Sequence, residues 1–450
     1  MITMIKFCFT LLSLLFLITA IAQESLSLTQ AIEIGLKNNY QIQISERELE
    51  IAQKSNDWSI AGRYPSLDAF LNLNNGYSRA DNTNNPASFV RQSNLVTSNI
   101  APAVELNWTL FNGGRVRVTK QQLEELERLS QGNVQVTVEN TIEDIILAYY
   151  QVLVQQEQVR VREEVLKLSR ERVDYTIARQ EFGQAATFDV LQSQDAYIND
   201  STSYLIQLNT FENALRSLNL TMGVDDLSRR YQLTDQLQFT TQDYALEDLK
   251  TRMLATNRTL QNLFINREIV QLDTRLVEGT EYPTIGLRTG ATYGLNSNLV
   301  GTSTLASGDE RDLGGVRTNN LGTFINFGIT YNIFDWGVRR RNIENSRIRE
   351  ITAQLNIEDY KRNISADVEN TLATYNNQKQ LVQITNQLVE NARRSLTIAE
   401  DRFEAGLVNI FDYRTVQLSY INAVQSRLNA IYNLKTTETN LIRLVGGLIR

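Results

Sequence analysis

The sequence predicts an α+β membrane protein. Each chain gives four strands to a transmembrane β-barrel that is continuous with a long α-helical coiled-coil barrel, and the whole is written as an internal tandem duplication. Three observations carry this reading. Short landmarks return at a fixed offset along the chain, a period of two follows each of two Tyr-Pro pairs, and a period of seven runs through two proline-free stretches.

Internal repetition sets the domain plan. Leu110-Phe111-Asn112-Gly113-Gly114 returns as Ile333-Phe334-Asp335-Trp336-Gly337, and Gly183, Phe188 and Asp189 return as Gly406, Phe411 and Asp412, all at one common offset. Met222-Gly223 returns as Val445-Gly446 at that offset, and Tyr64-Pro65 as Tyr282-Pro283 at a slightly shorter one. The plan is therefore a signal segment at 1–22, a first copy at 23–223 with a hairpin at 66–110, a linker at 224–245, and a second copy at 246–450 with a hairpin at 284–334.

Lys6, the apolar run Phe7 to Ile18 and the small-x-small triplet Ala20-Ile21-Ala22 read as a secretory signal. No cysteine follows that cleavage site, which argues against a lipid anchor there. Thr29 to Gly62 lacks proline, is rich in helix formers and reads as one helix. After Pro65, Leu67, Ala69, Leu71 and Leu73 alternate with Asp68, Phe70, Asn72 and Asn74; later, Val104, Leu106, Trp108 and Leu110 alternate with Ala103, Glu105, Asn107 and Thr109. The second copy repeats the pattern with Ile285 and Leu287, then with Ile325, Phe327, Ile329, Tyr331 and Ile333. The polar stretches Asp81 to Asn99 and Asn296 to Asn320 read as loops, so each copy holds a hairpin of strands about ten to twelve residues long.

Tilted strands of about 9–11 residues cross a bilayer, and apolar-out, polar-in alternation marks an outer-membrane barrel. Leu106, Trp108, Ile329 and Tyr331 are expected to face lipid, and Asn107, Asn326 and Thr330 water. Trp108, Phe111, Phe334 and Trp336 gather at one end, where an aromatic girdle belongs. Open strand edges cannot face lipid, and a membrane barrel needs about eight strands or more, so identical chains must complete the ring.

Helices follow each hairpin. Val138, Ile145, Val152, Val159, Leu166 and Val173 recur every seven residues, as do Val368, Tyr375, Val382, Val389, Leu396 and Phe403. That period gives helices packed side by side in a left-handed supercoil. A helix from Arg115 to Glu181 would be roughly 100 Å long. Gly183 and Gly406 suit the left-handed residue that closes a helix, and Asp189 and Asp412 then cap the returning helices.

Composition excludes much chemistry. The chain of 450 residues has 44 Lys+Arg, 51 Asp+Glu, no His and one Cys, and that one, Cys8, lies in the signal segment. A thiol nucleophile, an imidazole base and a soft-metal site are therefore excluded, and no cofactor is expected. A net charge of −7, without a basic run, argues against nucleic acid.

With these segments in place, the chain resembles the outer-membrane efflux protein (TolC) family from Ser27-Leu28-Thr29-Gln30-Ala31 to Gly446. The resemblance rests on Tyr64-Pro65, on Leu110 to Gly114, and on the helix turns Phe182 to Leu191 and Arg402 to Asp412. It implies a homotrimeric, non-enzymatic channel with a twelve-stranded barrel in the outer-membrane lipid and a periplasmic tube of twelve helices. Its implied partners are a periplasmic adaptor (membrane fusion) protein and an inner-membrane pump of the RND, ABC or MFS class. Asp412 then belongs to an aspartate ring at the periplasmic entrance and Asp189 to a link that holds neighbouring helices closed. Gly183, Phe188, Gly406 and Phe411 form the tips where the adaptor docks. The sequence departs from the family in three places: Thr415 stands for a second ring acid, Phe403 for the tyrosine of the link, and Val408 for its arginine.

Two other classes compete. A periplasmic adaptor also carries a long helical hairpin, but it needs a lipoyl-like β segment split around one hairpin, whereas this chain has two hairpins. A passive porin does not account for the heptads. An enzyme fits least well, because the paired acids Asp225-Asp226 and Asp309-Glu310 lie in polar linkers.

Overall fold

The structure is a computed structural model that describes residues 24–237 and 242–448; the signal segment assigned to 1–22 lies outside the described residues. Among the described residues, no helix is long and apolar enough to cross a membrane. The chain forms two compact units. The sheet unit comprises Glu50–Leu129 and Leu263–Asn356; the helical unit comprises residues up to Leu49, Ser130–Asn262, and those from Ile357 onward.

In the sheet unit, β2 (Ser66–Asp81), β3 (Val90–Asn112), β5 (Thr284–Val300) and β8 (Gly315–Thr330) pair antiparallel in the order β2-β3-β5-β8. Two short strands, β6 (Thr302–Leu305) and β7 (Glu310–Asp312), extend the sheet where β6 meets the start of β3. The strands are 16 to 23 residues long, well beyond the expected ten to twelve, and the stretches read as loops are partly strand. Asn, Ser and Thr there lower strand propensity, but the hydrogen-bonded ladder runs on through them. At the other end, β8 stops at Thr330, so Tyr331 and Ile333 fall beyond it.

Register sorts the two faces. Leu67, Leu106, Thr289 and Ile325 stand in one cross-strand row, and Trp108, Leu287 and Phe327 in another on the same face. Asp68, Glu105, Gly290 and Phe324 form a row on the opposite face, beside the row of Asn107, Arg288 and Asn326.

The helical unit opens with β1 (Glu24–Leu26), paired in parallel with β4 (Tyr231–Leu233). Its main helical elements are α1 (Leu28–Asn38), α4 (Thr187–Thr221), α5 (Leu246–Thr256) and α8 (Ile410–Leu444). The long helices α3 (Arg115–Glu181) and α7 (Val338–Glu404) have 67 residues each and belong to both units, as do α2 (Tyr40–Ser55) and α6 (Arg258–Glu278). All six heptad positions of α7 are buried, from Val368 to Phe403. On α3 only Ile145 and Val152 are. The difference lies in the number of neighbours. Ile145, Tyr149 and Val152 pack with Leu215 and Leu218 of α4 and with Met222 just after it, whereas Val154 and Val161 pack with Val389, Leu396 and Leu428. A helix with two partners needs a stripe wider than one heptad seam.

The single helix expected at Thr29–Gly62 is in fact two, broken at Asn39, and the chain from Asn56 to Gly62 is turns. Asn257 breaks α5 from α6 in the same way, and both asparagines leave helical geometry at ψ 125° and 118°. Each amide works at both ends. The Asn39 Oδ1 accepts from the Gln41 N–H at 2.8 Å while its Nδ2 donates to the Thr221 carbonyl at 2.9 Å. The Asn257 Oδ1 accepts from the Leu260 N–H at 2.8 Å while its Nδ2 donates to the Leu444 carbonyl at 3.0 Å. A carboxylate lacks the donor and a hydroxyl the second arm, so asparagine suits both sites.

Asn257→Ala should therefore orphan a buried N–H and a buried carbonyl, at a cost of about 1–3 kcal/mol, with Asn257→Asp in between. Thermal melts followed by circular dichroism test this; a midpoint unchanged in both variants would refute the double cap.

Candidate functional site at the helix turns and strand ends

The two helix turns of the helical unit are built alike. After α3, Gly183 adopts φ 71°, its N–H donates to the Gln180 carbonyl at 2.9 Å, and the Gln184 N–H donates to Arg179 at 2.8 Å. After α7, Gly406 adopts φ 72°, with matching bonds to Phe403 at 3.0 Å and from Leu407 to Arg402 at 2.8 Å. Glycine is suited to these positions because an L side chain is strained there. The returning helices start at once. The Asp189 carboxylate accepts from the Ala186 N–H at 2.9 Å, and the Asp412 carboxylate accepts from the Asn409 Nδ2 at 2.9 Å. Asp189 thus bonds the backbone ahead of its helix, whereas the cap before Asp412 is Asn409, whose Oδ1 accepts from the Asp412 N–H at 2.9 Å; Asp412 is exposed in the first turn.

The structure brings the tips together. The Phe188 and Phe411 rings lie 6.3 Å apart, both largely exposed. Between the turns lies a pocket of about 400 Å³ lined by Arg179, Asp189, Leu407, Val408, Asn409 and Ile410. Thr415 is exposed, and its hydroxyl donates to the Phe411 carbonyl of its own helix at 2.9 Å.

Next to the turns is a set of contacts that the sequence did not reveal. The Arg172 guanidinium lies 3.2 Å from the centroid of Tyr413 and 4.5 Å from that of Phe403. Burial pushes the Arg172 guanidinium down and the Tyr413 phenol up from their ordinary pKa values. Phe403 thus touches both the cation and the phenol, its ring centroid 5.7 Å from that of Tyr413. Asp200 of α4, 3% exposed, accepts two hydrogen bonds from Arg414 of α8 at 2.6 and 2.7 Å and a third from the Ser169 hydroxyl. This bidentate pair ties a helix of the first hairpin to one of the second. The only sequence signal was Tyr413-Arg414 next to Asp412. The pair spans 214 residues, off the repeat distance, so comparing the copies could not expose it.

In the sheet unit, the aromatic residues gather where the strands end. A bulge between Thr109 and Phe111 shifts register by one residue, pairing Trp108 with Leu287 and Phe111 with Ile285. Trp108 and Phe111 thereby share one face although three residues apart, which a strict period of two forbids. The Trp108 indole N–H donates to the Arg63 carbonyl at 3.0 Å. Phe334 and Trp336 lie 5.0 Å apart, 69% and 81% exposed. Trp336 alone among non-glycine residues described has a left-handed backbone, at φ 56°.

The family model described as outer membrane efflux protein matches residues 31–224 and 249–447. The chain is 22% identical over 429 residues to the probable efflux pump outer membrane protein TtgC of Pseudomonas putida, covering 94% of this chain and 83% of that one. Among solved structures it is similar to the CmeC outer membrane channel of Campylobacter jejuni, with a TM-score of 0.71 at 16% identity, covering 93% of this chain and 85% of that one. It is also similar to a membrane protein from Pseudomonas aeruginosa, with a TM-score of 0.71 at 18% identity, covering 93% and 90%. These likenesses show the fold, a channel fold of long helices and a sheet.

Arg414→Ala should leave the buried Asp200 carboxylate without its ion-pair partner, at a cost of about 3–5 kcal/mol. Thr415→Ala should cost almost nothing. Chemical denaturation of the detergent-solubilised protein compares them, and equal midpoints would mean that the pair contributes no tie.

Proposed function

We propose, from the premise that this chain belongs to the outer membrane efflux protein family, that it is the passive outer-membrane duct of a tripartite efflux or type I secretion system. Its place is the outer membrane, with a helical part in the periplasm. Three chains close one twelve-stranded barrel from their sheet units and one tube of twelve helices from their helical units. A periplasmic adaptor docks on the tips that carry Phe188 and Phe411, and an inner-membrane pump supplies the energy. The chain has no catalytic role.

The observation that carries this reading is the register of the sheet. One face stacks Leu67, Leu106 and Ile325 with Trp108, Leu287 and Phe327, and the other stacks Asp68, Glu105, Asn107, Arg288 and Asn326. A sheet apolar on one face and charged on the other fits a wall between lipid and water. At the turns, three exposed Asp412 carboxylates narrow the entrance, and Thr415 makes that ring weaker than one of paired acids. The Asp200–Arg414 pair and the Arg172 stack take the place of the family's tyrosine and arginine link in holding the hairpins closed.

An arginine near the membrane midplane on the lipid face costs about 2–4 kcal/mol, so Ile325→Arg should abolish insertion while its neighbour Asn326→Arg is tolerated. Native mass spectrometry of detergent-extracted outer membranes should give a trimer for the wild type and Asn326→Arg only; a stable monomer, or equal behaviour of the variants, would end the duct model.

Charge at the entrance has its own test. Clustered carboxylates attract cations, so the channel should be cation-selective in planar bilayers, and Asp412→Ala should lower that selectivity. If selectivity is unchanged, Asp412 does no more than support the start of its helix through Asn409.

A further inference from the structure

The turn from β3 into α3, within the sheet unit, carries a pocket of about 310 Å³ lined by Trp58, Arg63, Trp108, Leu110, Phe111 and Arg117, among others. Gly113 and Gly114, at φ 72° and 77°, fold the chain so that Arg117 in the first turns of α3 returns to the strand end. Arg63 comes from the turn after α2. Its carbonyl holds the Trp108 indole, and its guanidinium lies 4.7 Å from the Trp58 ring centroid. The bulge at the end of β3 brings Phe111 onto the face of Trp108. The result is a recess with apolar walls and two guanidinium groups.

Neither Arg63 nor Arg117 has a carboxylate partner among the described residues. The acid nearby, Asp57, is occupied by the N–H and hydroxyl of Ser59 at 2.7 and 2.5 Å, and Lys120 is paired with Glu124 at 2.8 Å. The matching turn from β8 into α7 is different. There Arg339 pairs with Asp335 at 3.5 Å, Arg340 with Glu344 at 3.0 Å, and Arg341 donates to the Trp336 carbonyl at 2.7 Å. In the second turn two of the three arginines are thus neutralised by carboxylates and the third is spent on a carbonyl, whereas neither arginine of the first-turn pocket has an ion-pair partner among the described residues.

We propose that this pocket binds the phosphate of a phospholipid headgroup from the periplasmic leaflet of the outer membrane. The proposal rests on the reading of the sheet unit as the membrane part. A guanidinium fork matches phosphate in charge and geometry, and it is desolvated more readily than an ammonium. Aromatic side chains at the same level suit the boundary between headgroups and acyl chains. A soluble anion would satisfy the arginines but leave Trp108, Leu110 and Phe111, each about 40% exposed, facing nothing that gains from them. A lipid satisfies both, its phosphate between Arg63 and Arg117 and its acyl chains along the apolar wall.

The full-length protein, reconstituted in nanodiscs of phosphatidylethanolamine and phosphatidylglycerol and released for native mass spectrometry, tests this. The wild type should retain phospholipid, at most one per chain, and Arg63→Gln/Arg117→Gln should lower retention at least tenfold. Arg63→Lys/Arg117→Lys should keep a part of it, and Arg340→Gln/Arg341→Gln all of it. If the double glutamine variant does not assemble, the lysine variant decides, since full wild-type retention without guanidinium groups would overturn the proposal. Excess inorganic phosphate should not displace the lipid; if it does, the pocket is a soluble-anion site and the lipid assignment is wrong. Failure of the wild type to enter nanodiscs would overturn the membrane reading itself. Entry followed by unchanged retention in the glutamine variant would overturn the headgroup site alone.

Discussion

A sheet in hydrocarbon has nowhere to leave an unpaired N–H or carbonyl, since each costs several kcal/mol without water to bond it. In this chain β2 pairs only with β3, and β8 only with β5, among the described residues. Both outer edges, each 16 residues long, are therefore open in a single copy. The proposed trimer answers that constraint directly, because an edge that pairs with the next copy ceases to be an edge. In the proposed barrel the same constraint would account for ladder hydrogen bonding that runs on through Asn-rich and Gly-rich sequence. In a barrel wall the backbone must stay paired whatever the side chains prefer.

The ladder in turn fixes which side chains meet. Glu105 and Arg288 form a bidentate ion pair across β3 and β5 on the polar face, with Phe324 near Arg288. Gly290 makes room for this group, because a Cβ there would come within 2.4 Å of the Val104 carbonyl and 3.2 Å of the Phe324 ring. A slip of one residue would carry Glu105 and Arg288 to the apolar face and the apolar rows to the polar one. With the apolar face in lipid, as proposed, the cost of burying those charges would oppose the slip.

What the sequence disclosed follows from how local each signal is. Strand faces and the α7 seam were legible because periods of two and seven sit in contiguous residues. The breaks at Asn39 and Asn257 were not read, although Asn38-Asn39 and Thr256-Asn257 are separated by the same interval as the two Tyr-Pro pairs. Asparagine is only a mild helix opponent, and its second hydrogen bond goes to a residue far along the chain. At the helix turns the first-turn acids Asp189 and Asp412 were legible for the same local reason, but the cap at Asn409 was not read. Asp200 and Arg414 were not, because a buried ion pair is defined by a partner that the sequence does not indicate. The wide stripe of α3 failed likewise, since its second neighbour, α8, lies far along the chain.

The matching turns at Gly113 and Trp336 show how similar backbones come to serve different ends. At Gly113 a Cβ would fall 2.1 Å from the Gly279 carbonyl, so only glycine fits, and the turn is closed against its neighbour. At Trp336 a bulky residue holds a left-handed backbone that costs of order 1–3 kcal/mol, and strain of that size persists only where something outweighs it. Its indole is 81% exposed and packs on Phe334. If the strand ends lie at the membrane boundary, as proposed, the headgroup region would supply the compensation, since an indole is favoured there. One turn keeps a glycine and leaves a basic recess; the other gives up the glycine to project an exposed indole. On the proposed reading both differences fall at the strand ends, where the boundary between headgroups and acyl chains would cross the sheet, and each suits that level: a basic recess for a headgroup, an indole for the interface.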